Sequence, residues 1–113
     1  MQPVLVKAYG HFKPAGPEYL KRLAQLMSSY GLDEESASLN GRILLISHEG
    51  TFFPADEALE ILSDLAKNTA GQVEAKLDVL DLEGWMLHRH EWQGDEFKLS
   101  SRPLNSVLEY SGH

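Results

Sequence analysis

The spacing of apolar and polar residues changes period several times along the chain. Over Pro3–Tyr9, Val4, Val6 and Ala8 alternate with Leu5, Lys7 and Tyr9, the two-residue period of a strand with one face on a core. Gly10–Gly16 reads as a loop. Pro17 suits a first helical position, and Leu20, Leu23, Leu26, Met27 and Tyr30 then recur at helical spacing until Gly31, a good left-handed stop. Asp33–Asn40 is polar and acidic and reads as a loop with room for one helical turn.

The stretch Gly41–Pro54, GRILLISHEGTFFP, organises the rest. Arg42–Ser47 is nearly all apolar, which predicts a central strand covered on both faces. Ser47-His48-Glu49-Gly50 reads as a tight turn, Thr51-Phe52-Phe53 as the partner strand, and Pro54 as its end. A second helix is predicted over Ala55–Asn68, with Asp56 and Glu57 in its first turn and Ala58, Leu59, Ile61, Leu62 and Leu65 on its buried face, closed by Gly71.

Val73, Ala75, Leu77 and Val79 alternate with Glu74, Lys76, Asp78 and Leu80, a clean amphipathic strand. Trp85–Trp92 and Phe97–Ser100 flank Gln93-Gly94-Asp95-Glu96, a glycine-containing turn of hairpin length. A short helix over Pro103–Tyr110 is predicted to follow, with Ser101 as its cap and Leu104, Val107 and Leu108 to dock it. The order is strand, helix, strand, strand, helix, strand, then hairpin and short helix. It predicts an α+β fold of the ferredoxin-like split βαβ type, an antiparallel sheet with two helices on one face. One domain is expected over residues 1–113, with a core over 1–80 and the hairpin and short helix of 81–113 appended to it.

Composition narrows the function classes. At 113 residues the chain has room for one core without staples. No apolar run approaches the roughly 18 residues of a membrane span. The opening Met-Gln-Pro-Val-Leu-Val-Lys lacks a signal-peptide pattern, and zero cysteines exclude disulfides and thiolate chemistry, so a cytoplasmic location is expected. The net charge of −7 is uneven. Residues 1–30 carry +3, residues 31–77 carry −6 and residues 78–96 carry −5. With only a small local cluster of Lys7, Lys13, Lys21 and Arg22, general binding to nucleic acid or acidic membrane is not expected.

The run YGHFKPAGPEYLKRLA, Tyr9–Ala24, resembles in spacing the opening of acylphosphatases, where a strand leads through a glycine-rich phosphate loop into a helix. GRILLISHEGTFFPADEALEIL, Gly41–Leu62, resembles that family's second strand, turn, third strand and second helix. It is nearer still to the acylphosphatase-like N-terminal domain of the rhodanese-type tRNA uridine hydroxylases, whose GRILIAxEG pattern Gly41–Gly50 echoes. The resemblance covers residues 4–80 and implies the fold. It does not carry the chemistry. Glu18 stands at the position matching the phosphate-binding arginine, Pro14 and Pro17 remove two loop N–H donors, and the water-positioning asparagine falls at Leu45 or Ile46. A carboxylate there would repel phosphate. The hydroxylases' working cysteine has no counterpart here. Neither family's reaction is expected.

The chemistry-bearing candidates are few. His88 and His90, two apart on a predicted strand, share a face and could offer two imidazoles to a metal. A third ligand would have to come from His48, Glu49, Glu91 or His113, and the reading adopted is no metal and no cofactor. His48-Glu49 at the expected turn could form an acid/base pair. Trp85 and Trp92, seven apart, should face opposite sides of their strand, one completing the core and one meeting a partner. Together with Met86 they make the hairpin an apolar patch with a charged rim. The function expected is a non-catalytic binding or regulatory module. It would act through its sheet edge or appended hairpin on a protein partner or its own copy as a homodimer, with a small-molecule ligand as a further option. The alternative is a small cofactor-free or metal-dependent enzyme using His48, His88 and His90.

Overall fold

The computed structural model describes residues 3–105. Its elements are β1 (Val6–Lys13), α1 (Pro17–Ser29), a single 3-10 turn (Glu34–Ser36), β2 (Ala37–Asn40), β3 (Ile43–Gly50), α2 (Ala55–Asn68), β4 (Glu74–Asp81), β5 (Met86–Gln93) and β6 (Glu96–Pro103). The strands form one six-stranded sheet in the order β2-β3-β1-β4-β5-β6, and every neighbouring pair is antiparallel. The fold is α+β. The helix crossovers join β1 to β2 and β3 to β4, each time stepping over one intervening strand. No helix among the described residues is long and apolar enough to cross a membrane.

Both helices form as the sequence reading expects. Pro17 supplies a preset φ at the start of α1, and Gly31 ends the segment in the left-handed region at φ +70°. Leu23 and Met27 from α1 meet Ala58, Leu62, Leu65 and Ala66 from α2 over one face of the sheet. Strand register supplies the other half of that core: Ala8 and Phe12 on β1, Leu44 and Ile46 on β3, Ala75 and Leu77 on β4. Apolar burial of this kind stabilises by roughly 25 cal/mol per Å².

Neither α1 nor α2 covers the opposite, open face, which carries charge along β1 and β4, while Leu87 of β5 is buried on the same side. Lys7 pairs with Glu49 at 3.4 Å, His11 and Lys13 with Glu74 at 3.4 and 3.2 Å, and Arg89 with Asp78 at 2.8 Å. The apolar run of β3 is therefore covered on its helix side only. Its outward residue Ile43 is 37% exposed and Leu45 is half-buried.

The expected hairpin at Ser47–Gly50 does not exist. β3 runs straight through those residues and pairs with β1 as far as Val6↔Gly50. The turn lies instead at Gly41, φ +62°, and the partner strand is β2, in the stretch read as a loop. Thr51–Pro54 is irregular chain leading into α2. The physical reason is His48, a polar residue that continues the inward phase of Leu44 and Ile46 rather than breaking it.

β1 also runs on past Tyr9 to Lys13, through residues expected to be loop. Gly10 permits this: a Cβ there would stand 2.7 Å from the Lys76 carbonyl oxygen on β4. Phe12 beyond it is 1% exposed in the core. The hairpin of β5 and β6 forms where expected and continues the same sheet beyond β4. Ser101, expected to cap a helix, lies within β6, and Pro103 ends that strand. The predicted helix over 103–110 falls, from residue 106 onward, outside the described residues.

Candidate functional site

Register decides what the hairpin presents on each face. On β5, Met86, His88, His90 and Trp92 share the helix side with Val79, Leu77 and Ala75 of β4, whereas Leu87, Arg89 and Glu91 share the open side with Leu80, Asp78 and Lys76. Trp92 is half-buried against the core and meets Phe97 of β6 edge-on, ring centroids 5.1 Å apart. Trp85 lies just outside β5, in the turn after Asp81, with φ +57° and 43% exposure. Its indole N–H donates to Asn105 at 2.6 Å. One tryptophan therefore completes the core and the other is exposed, although they do not share a strand.

The three histidines do not meet. His88 and His90 are neighbours on one face, and Nδ1 of His88 is 2.7 Å from the Ser101 hydroxyl. Burial holds the His90 ring below the usual imidazole pKa, reinforced by His88 and opposed by Asp56 and Asp78. His48 stands in the same cross-strand row as His88, linked through Ala8 and Val79. Three strand spacings, about 14 Å, separate them. His48 is 7% exposed, and both its ring nitrogens are engaged, Nδ1 with Ser36 at 3.0 Å and Nε2 with the Phe52 carbonyl at 2.9 Å. It serves the core.

The expected His48–Glu49 pair is also split, because adjacent strand residues point to opposite faces. Glu49 lies on the open face, where the Tyr9 hydroxyl donates to it at 2.7 Å and Lys7 lies nearby, which together hold its carboxyl below the usual range. The same bond raises the Tyr9 phenol. Among the described residues no group of three or more His, Asp or Glu is placed to hold a metal ion.

The segment that resembles a phosphate loop offers few donors. Pro14 and Pro17 have no N–H, Ala15 donates its own to Arg42 at 2.8 Å, and Glu18 occupies the first turn of α1. Leu45 lies on the open face and Ile46 in the core, so neither matched position offers a polar group to a water.

The feature the sequence reading did not single out is the outer edge of β6. Leu104 donates its N–H to the Trp85 carbonyl at 3.0 Å, which marks Trp85/Leu104 as a hydrogen-bonded pair. Bonded pairs alternate along an antiparallel ladder. Leu87/Arg102, Arg89/Ser100, Glu91/Lys98 and Gln93/Glu96 are therefore bonded, the last closing a two-residue turn with Gly94 at φ +72°. The backbone N–H and C=O groups of Phe97, Leu99 and Ser101 consequently point away from β5. No strand lies beside them among the described residues. Leu99, at the middle of this edge, is 60% exposed. The alternation of Phe97, Leu99 and Ser101 with Glu96, Lys98, Ser100 and Arg102 is the sequence signal that could have found it.

No family model, no curated protein and no solved structure matches this chain.

Proposed function

We propose that this chain is a non-catalytic binding module that meets its partner through the outer edge of the β5–β6 hairpin. The observation that carries the reading is the eight-residue edge of β6, with three residues' backbone donors and acceptors directed outward around an exposed leucine. Such an edge is a template for strand addition, in which main-chain bonds supply affinity and alternate side chains supply selectivity. We read the βαββαβ connectivity as ferredoxin-like, and the likeness to acylphosphatases as one of fold rather than chemistry, because Glu18 would repel a phosphate. The lack of cysteine fits work in a reducing compartment such as the cytoplasm. Against the enzyme alternative stands the engagement of both ring nitrogens of His48, far from His88 and His90.

The test is amide hydrogen exchange at Phe97, Leu99 and Ser101, compared between dilute purified chain and chain in an extract of its source cells. Protection that appears in the extract, and is lost in a Leu99→Pro variant of unchanged fold, supports the reading. Proline at an outward-bonding edge position removes a donor without touching the β5 ladder. Free exchange of all three amides at every protein concentration and in the extract overturns it.

A further inference from the structure

The outer edge of β6 is complementary to itself in one register, and we infer that its partner is a second copy of this chain. The inference rests on the binding role proposed for that edge and names its occupant. For two copies of β6 to pair antiparallel about a two-fold axis, the outward-bonding residues Phe97, Leu99 and Ser101 must face one another. Centring the axis on Leu99 sets Leu99 against Leu99 of the second copy and Phe97 against its Ser101 in both directions. Each of these three pairs exchanges two main-chain hydrogen bonds. Pro103, which has no N–H to give, falls opposite the turn residue Asp95, just where the ladder ends.

The side chains select this register over its neighbours. Centred on Leu99, Glu96 stands opposite Arg102 twice, Lys98 stands opposite Ser100 twice, and the two Leu99 side chains cover each other on the helix side. Sliding by two residues in one direction sets Lys98 against Lys98, and in the other sets Lys98 against Arg102. Like charges directly opposite each other destabilise a strand pair and opposite charges stabilise it. A slide of one residue turns the apolar positions to the wrong face. Among the described residues the ion pair of Glu96 within one chain is with Lys98, at 3.3 Å and well exposed, which leaves its carboxylate accessible to an incoming guanidinium. The product is a continuous twelve-stranded sheet of the described strands, with α1 and α2 of both copies on one side.

The charge pattern supplies the test. Glu96→Arg and Arg102→Glu, each alone, place like charges opposite each other twice and should raise the dimer dissociation constant about tenfold or more. An equimolar mixture of the two variants restores both opposite-charge pairs and should recover the parent's affinity as a heterodimer. Both changes lie on the exposed edge, and unfolding midpoints near the parent's confirm that the fold is kept. Leu99→Cys introduces the chain's one cysteine at a pair whose Cα atoms would lie about 5.5 Å apart, within disulfide reach. It should cross-link to a dimer far faster than a Lys67→Cys control on α2.

Sedimentation equilibrium showing a monomer throughout, no rescue by mixing, or equal cross-linking at positions 99 and 67 each overturns self-pairing. If self-pairing fails while the amides of Phe97, Leu99 and Ser101 become protected in extract, an extended strand of another protein occupies the edge and the binding role stands. If those amides also exchange freely there, both fall.

Discussion

Ser36 and His48, twelve residues apart, share a hydrogen bond of 3.0 Å beneath the β2–β3 corner. The Phe52 carbonyl can only accept, so Nε2 of the ring carries a hydrogen, and in the neutral imidazole Nδ1 then accepts from the Ser36 hydroxyl. Ser36→Ala should leave that nitrogen buried without a partner and cost about 1–2 kcal/mol of stability, read as a lowered urea midpoint at unchanged slope. A midpoint equal to the parent's would mean that the bond contributes nothing.

His90 gives a pH dependence whose sign follows from its burial. Its folded pKa lies below the ordinary 6.5, so between the two values the unfolded chain binds the extra proton. The contribution is complete above about pH 6.5 and is lost as pH falls toward the folded value. Unfolding midpoints of the parent should therefore drop from pH 7 to pH 5 more steeply than those of His90→Gln. Parallel profiles would sink the assignment.

Gly10→Ala tests the close approach of β1 to β4. The added Cβ would meet the Lys76 carbonyl oxygen at 2.7 Å and a Leu77 methyl at 3.1 Å, so the strands must separate in the middle of the sheet. A loss of about 1–3 kcal/mol is expected, the range of core overpacking. Thermal unfolding monitored by circular dichroism measures it.

Trp92→Ala and Trp85→Ala should part company. Trp92 packs on the core and on Phe97, and its truncation should cost about 2–4 kcal/mol, somewhat below a fully buried aromatic. Trp85 is exposed and offers one hydrogen bond to Asn105, so its loss should cost about 1 kcal/mol or less. Equal losses in chemical denaturation would contradict the burial difference between them.

Both helices, the amphipathic phase of β4 and the β5–β6 hairpin were legible because each has a period and a punctuating residue: Pro17, Gly31, Gly71, Gly94. The Ser47–Gly50 region misled because a buried histidine with two internal partners looks polar in sequence, and its partners Ser36 and Phe52 are brought to it only by folding. β2 was hidden in an acidic loop, its four residues too short to show a period, and Gly10 looked like a breaker when its role is close contact. The hairpin was legible as the candidate site through its tryptophans. The edge residues Leu99, Glu96 and Arg102 were not, because which backbone groups of β6 face outward depends on the bonding phase fixed at Trp85 and Leu104.

The two margins of the sheet are unequal, and this limits how copies of the chain could accumulate. β2 offers four residues in a corner beside α1 and the 3-10 turn, while β6 offers eight with no strand beside them among the described residues. A chain with two long free margins can be extended from either end and grows into fibres. Here any strand laid along β6 consumes the long margin, and among the described strands two copies joined there present their short β2 corners to the next arrival. Growth by strand addition therefore terminates instead of propagating.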